Sequence, residues 1–302
     1  MTEQANRNYR DSVFTKYFRE NPEGLVELYN AITGTNYPLD TPVVPNSLED
    51  VLYKEKMNDL SFVLDNQILV LIEHQSTINE NMALRLLMYV ARLYEKLLNQ
   101  WGKRAVYEEK RIPIPQPKFV VLYNGRAPYP EHTIQQLSKS FMVQDGEPTL
   151  ELRVDVYNIN YREESEFLQK SRYLTDYSLF VHIVHQEITA GKTLDEAIRS
   201  AIAQCIRQDI MREFLEEHGS EVYNMLLGEW KIEEALDYKE QKGREEGIKE
   251  EKNRTIRALK DVLEPEVIAE TVQQPVEYVL KVLDEAMMVS EDETAYKVEK
   301  KE

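Results

Sequence analysis

Cysteine is all but missing: Cys205 is the only one among 302 residues. One thiol closes no internal disulfide, and no cysteine cluster is available to hold zinc. A disulfide scaffold and a zinc finger are therefore excluded. Long hydrophobic runs are missing as well. No stretch approaches the ~18 apolar residues of a membrane span. The opening residues 1–11 are polar and lack the apolar centre of a signal peptide. A cytoplasmic protein with no membrane partner is expected. Basic charge is in deficit: 37 Lys and Arg face 54 Asp and Glu, a formal net charge of −17. That argues against a simple nucleic-acid coat. No internal repeat is visible. What the chain does have is 42% hydrophobic residues, enough for a sizeable core. At roughly 150 residues per domain its length suggests two domains.

The acidic charge is uneven. Residues 81–111 carry seven Lys and Arg against Glu95, Glu108 and Glu109. Screening limits surface charges to about 10 Å at ordinary salt, so such a strip can meet phosphate even on an acidic protein. Apolar spacing predicts helix over 10–33, broken at Asn21-Pro22. Residues 34–47, crowded with Gly34, Pro38, Pro42 and Pro45, read mostly as loop. Strands are predicted at 51–54, 59–64 and 68–74, the last two joined through Asp65-Asn66 as a hairpin. A long helix over 79–100 follows, then a basic, proline-punctuated loop over 102–117 and strands at 118–123 and 150–159. From 163 onward helix dominates, in pieces at 163–190, 194–208, 210–218, 220–228 and 231–262, with a short pair either side of Pro275. This order is an α/β layered unit followed by an all-helical C-terminal region. The expected divisions are a core over 1–160, a helical extension over 161–236 packed on it, and a highly charged helix or arm over 237–262. A small helical pair over 263–289 and a disordered tail over 290–302 complete the chain.

Asp59 begins one strand of the hairpin, and Glu73 and Gln75 end the other. Strand side chains alternate, so Glu73 and Gln75 share a face while His74 takes the opposite one. An acid ending the aliphatic run Leu69-Val70-Leu71-Ile72 is costly unless a partner such as a cation takes up its charge. Two carboxylates on adjacent strands can grip one divalent ion through hard oxygen atoms. Such an ion can polarise a phosphodiester and deliver hydroxide from bound water. The competing reading is turn polarity with an edge-strand salt bridge. For His74 a hydrogen-bonded core position is favoured. His182 and His185, at i,i+3 among Tyr177, Phe180, Ile183 and Val184, read as a packing face rather than a metal pair. Asp155 reads as a strand salt bridge and Cys205 as buried and inert.

Asp59 followed by Glu73-His74-Gln75, on an α-β-β-β-α-β order, resembles the PD-(D/E)XK nuclease superfamily, and five segments carry a closer likeness within it. They are Asn58-Asp59-Leu60-Ser61-Phe62, Ile72-Glu73-His74-Gln75-Ser76, Asn81-Met82-Ala83-Leu84-Arg85, Leu122-Tyr123-Asn124-Gly125 and the opening Asp11-x-x-Phe14. The closer likeness is to its Rpn branch of recombination-promoting nucleases, also classed with transposases, and it spans roughly residues 9–260. The resemblance implies a restriction-endonuclease-like core, an α-β-β-β-α-β mixed sheet flanked by helices. It implies Asp59, Glu73 and the backbone carbonyl of His74 as metal ligands, Mg²⁺ or Mn²⁺ as the ion, and Asp59, Glu73 and Gln75 as the catalytic set. Gln75 stands where the superfamily has Lys, as is usual in this branch; it can orient a water but brings no charge. Phe14-Thr15 departs from the Phe-Lys of the family helix, which leaves Asp11 and Glu27 as candidate outer acids. The implied activity is Mg²⁺-dependent hydrolysis of DNA phosphodiesters in recombination, element mobility or defence.

Arg85 and Arg92, about two turns apart on one helix face, and Lys96 are candidate contacts to the DNA backbone. Lys103, Arg104, Lys110 and Arg111 extend that strip, and the plainer alternative is pairing with nearby acids. The terminal pair resembles one often seen in the family. Its acids Glu264, Glu266, Glu270, Glu277, Asp284 and Glu285 face only Lys281, which disfavours DNA reading there. A homo-oligomer formed through these C-terminal helices is expected instead. The rival reading of the whole chain is a non-catalytic interaction or regulatory relative that keeps the fold.

Overall fold

The computed structural model describes residues 12–46, 59–101, 105–107, 109–260 and 262–284. The chain divides into two units, residues 1–229 and 230–302. Among the described residues, the first begins with helix α1 (Val13–Glu20), whose start is capped by Ser12: its hydroxyl accepts the Thr15 amide at 3.1 Å. Pro22 opens α2 (Pro22–Thr33), and Gly34 closes it in the left-handed conformation at φ 69°.

Strands β1 (Val43–Asn46), β2 (Asp59–Leu64) and β3 (Ile68–Gln75) form an antiparallel set. The β2–β3 turn uses two successive left-handed residues, Asp65 and Asn66 at φ 48° and 52°. The Gln67 amide closes it onto the Leu64 carbonyl at 3.0 Å. Positive φ at both central residues is what a type I′ hairpin turn requires, and Asp and Asn tolerate it. Helix α3 (Met82–Trp101) then crosses to β4 (Gln116–Tyr123), which lies parallel to β3. Strands β5 (His132–Gln136) and β6 (Arg153–Asn158) complete a six-stranded mixed sheet in the order β1-β2-β3-β4-β6-β5. Helices α4 (Arg172–Thr189), α5 (Leu194–Gln208) and α6 (Arg212–Leu259) follow. The expected α/β class, a mixed sheet flanked by helices and succeeded by a helical C-terminal region, is what the molecule has.

One sheet face carries Leu69, Leu71, Val121, Tyr123, Val154 and Val156, packed under Met82, Ala83, Leu86, Val90 and Leu93 of α3. Full burial of each Leu, Val or Met side chain among them contributes about 1.5–3 kcal/mol. On the other face Phe14 of α1 and Tyr177 of α4 meet His74. In the C-terminal unit, α7 (Pro265–Val272) and a second helix, α8 over 276–284, close a small core of Ile256, Ile268, Ala269, Val272, Val279 and Val282. No helix is long and apolar enough to cross a membrane, among the described residues.

Several expectations are corrected. The segment 34–47 is not all loop, because β1 lies inside it. Pro45 is tolerated there because β1 is an edge strand and pairs only with β2. The other edge strand, β5, is polar and unforeseen. The helix expected from 163 begins at Arg172, after a 3₁₀ turn at Leu168–Lys170. The pieces from 210 to 262 are one helix of 48 residues. Gly219 and Gly228 weaken a helix by about 1 kcal/mol each without ending it. The buried Leu215, Val222, Leu226 and Trp230 hold the turns around them. The strand expected at 51–54 and the tail over 290–302 lie outside the described residues.

Candidate active site

The β2–β3 register sets Asp59 directly opposite Glu73. Cross-strand partners in an antiparallel ladder share a face of the sheet. The side chain of Asp59 lies outside what is described, and so does Asp11. Glu73 ends the aliphatic stretch of β3 and is 5% exposed. Its Oε1 accepts the Gln75 amide Nε2 at 2.7 Å and pairs with Arg85 Nη2 at 2.6 Å. Alternation along β3 carries Gln75 to the same face as Glu73, and helical spacing carries Arg85 one turn beyond Met82 at the start of α3. Met82 Sδ accepts Gln75 Nε2 at 2.9 Å and Arg85 Nη1 at 3.4 Å. The Tyr89 hydroxyl, one further turn along, accepts Arg85 Nε and Nη2 at 3.3 and 3.1 Å. A desolvated carboxylate, an amide, a guanidinium and a phenol thus converge where the end of β3 meets the start of α3.

His74 is on the opposite face, 7% exposed, stacked on Phe14 with centroids 4.8 Å apart and planes 6° from parallel. Its Nε2 lies 3.2 Å from the Tyr177 hydroxyl. Burial holds its pKa down to about 3, so the ring is neutral. This is the core histidine expected, and its imidazole takes no part in the Glu73 cluster. The opening helix serves this face too: Phe14 provides the stack, and the Thr15 hydroxyl bonds Ser12 at 2.9 Å.

The Asn124-Gly125 pair follows β4 and lies against the same end of β3 that carries Glu73 and Gln75. The Asn124 amide donates to the Gln75 carbonyl at 2.9 Å. A Cβ on Gly125 would sit 1.8 Å from the Ser76 carbonyl oxygen, so only glycine lets β4 approach the end of β3 this closely.

Other sequence candidates fall elsewhere. Glu27 accepts the Tyr173 amide at the start of α4, at 3.1 Å. Arg92 is half-buried and Lys96 exposed on α3. Lys110 and Arg111 are exposed, while Lys103 and Arg104 lie outside the described residues. Asp155 pairs with Lys118 and with His132, the latter at 3.0 Å, as the strand salt bridge expected of it. Cys205 is buried, its thiol pushed up to about 12. His182 and His185 lie on α4 among the buried Tyr177, Phe180, Ile183 and Val184, as expected, and also line a cavity of about 50 Å³ with Asn124, Asn160, Tyr161 and Ser178. That volume has room for water. No group of three or more His, Cys, Asp or Glu is placed to hold a metal, among the described residues. The sequence reading missed Met82 and Tyr89 as parts of the Glu73 cluster. Their spacing from Arg85, three residues before and four after, was the available signal.

A family model described as "Putative transposase, YhgA-like" matches residues 44–218. The match runs from β1 into α6 and contains β2, β3, α3 and the Asn124-Gly125 turn; α1 with Phe14 precedes it. Nothing matches among curated proteins or among solved structures. With more than half its length matched, and every element of the Glu73 cluster inside the matched span, the chain belongs to this YhgA-like family.

Proposed function

We propose that this protein is a metal-dependent DNA endonuclease of the cytoplasm, linked to recombination, mobile elements or defence. The observation that carries the reading is Glu73: a carboxylate buried at a strand end, in register with Asp59 and joined by Gln75 and Arg85. Nothing in the packing of β3 calls for an acid there, and a buried carboxylate destabilises unless it is compensated. Its donor chemistry suits Mg²⁺ or Mn²⁺, since Glu73, Asp59 and the backbone carbonyl of His74 offer only hard oxygen atoms. The His74 imidazole, turned into the core, is not part of that set. A bound ion would polarise the scissile phosphate and lower the pKa of a water. Gln75 fixes the carboxylate and Arg85 supplies positive charge, both at Oε1. Arg92, Lys96, Lys110 and Arg111 would meet the DNA backbone without reading sequence. The C-terminal helices would join copies of the chain.

The test is nicking of plasmid DNA with Mg²⁺ by the parent, Asp59→Ala and Glu73→Ala. Each variant should lose nicking by at least a hundredfold while keeping the parent's circular dichroism; full cleavage by both defeats the reading. One observation favours the rival, a non-catalytic relative: Arg85 already neutralises Glu73. Calorimetric titration with Mg²⁺ separates the two, because a scaffold takes up no ion that depends on Glu73.

A further inference from the structure

We propose that Arg85 is the standing counter-cation of Glu73, and that a divalent ion entering this site must compete with it for that carboxylate. The inference rests on the metal-dependent reading above. Arg85 Nη2 lies 2.6 Å from Glu73 Oε1, on the same oxygen that accepts Gln75. Its position is also set from behind: the Tyr89 hydroxyl accepts two of its N–H groups, and Met82 Sδ accepts a third. All three residues stand on the first turns of α3, so the packing of this helix on the sheet delivers the guanidinium to the carboxylate.

A guanidinium does not lose its proton in a folded protein, so its repulsion of a second cation cannot be titrated away. Two cations on one carboxylate oxygen repel strongly at this range and in this little water. Either the ion takes Glu73 and the guanidinium moves off, or the guanidinium stays and the ion is weakly held. Once displaced, Arg85 remains beside the site, with Tyr89 within reach and a fork of donors that suits a phosphate oxygen pair. Arg85 is on this view a positioning residue: it keeps the acid neutralised while no ion is bound and sets the threshold at which an ion enters.

The experiment is calorimetric titration of Mn²⁺ into the parent, Arg85→Gln and Arg85→Lys, with unfolding midpoints recorded with and without the ion. Arg85→Gln should bind Mn²⁺ about tenfold more tightly than the parent. Without Mn²⁺ it should unfold at a lower temperature, and it should gain more on adding the ion. Arg85→Lys should stay close to the parent in affinity. An arginine with only a structural role would lower the midpoint and leave the affinity unchanged. Unchanged or weaker binding overturns the proposal while the metal reading stands. Absence of uptake by both the parent and Arg85→Gln removes the metal reading itself, and this inference with it. Tyr89→Phe covers the case in which Arg85→Gln does not fold. It keeps both charges but loosens the guanidinium, and should tighten Mn²⁺ about two- to threefold; no change overturns the proposal.

Discussion

Neighbouring residues on β3 meet opposite fates, and His74 shows what the core demands of a titratable group. The imidazole is sealed between Phe14 and Tyr177, and burial holds its pKa down to about 3, against about 6.5 in an unfolded chain. A histidine depressed in this way is folded only as the neutral ring. Its contribution is therefore fully present above about pH 6.5 and is lost as the pH falls from there toward 3. The loss runs at up to about 1.4 kcal/mol per pH unit. His74→Phe keeps an aromatic ring on Phe14 and cannot protonate. Urea midpoints measured from pH 7 to pH 4 should fall less steeply for this variant than for the parent, and parallel curves would show that His74 does not titrate with folding. At this scale the sequence was informative about faces: period-two alternation alone separates Glu73 and Gln75 from His74. It was silent about partners. Which cation reaches Glu73 depends on how a side chain twelve residues on is aimed, and spacing does not carry that.

At the scale of elements, legibility followed pairing. The β2–β3 hairpin could be read because two strand patterns flank a turn dipeptide that accepts positive φ. The helix α3 could be read from its apolar period. The edge strands β1 and β5 could not, since an edge strand has one neighbour, needs little apolar patterning and can admit Pro45. Nor does periodicity tell which polar position of α3 faces inward, because that is set by how the helix crosses the sheet. The Asn124-Gly125 turn is the element-level feature most open to test. A methyl group on Gly125 meets the Ser76 backbone, which has no flexible side chain to yield. Gly125→Ala should therefore destabilise the first unit by at least about 2 kcal/mol, through strain of the kind overpacked cores suffer. For a unit of this size that is a fall of about 4–8 °C in unfolding temperature. A midpoint within a degree of the parent would mean that the approach of β4 to Ser76 is loose.

At the scale of the whole molecule, the two units have separate cores, and the C-terminal one is small enough to depend on each of its buried side chains. Ile268 is fully buried there. If copies of the chain join through these helices, Ile268→Asp should reduce the sedimenting mass toward that of a single chain while leaving the unfolding of the first unit in place. An unchanged mass would place self-association elsewhere. The back-to-back setting of Glu73 and His74 has a consequence for how the entire sheet assembles. A slip of β3 by one residue against β2 would drive a carboxylate in among the aromatic rings and turn an imidazole out beneath α3. Both misplacements are severe, and they come together. The pair thus acts as a proofreading mark for strand alignment, so that a chain with its chemistry in the wrong place is also one that fails to settle.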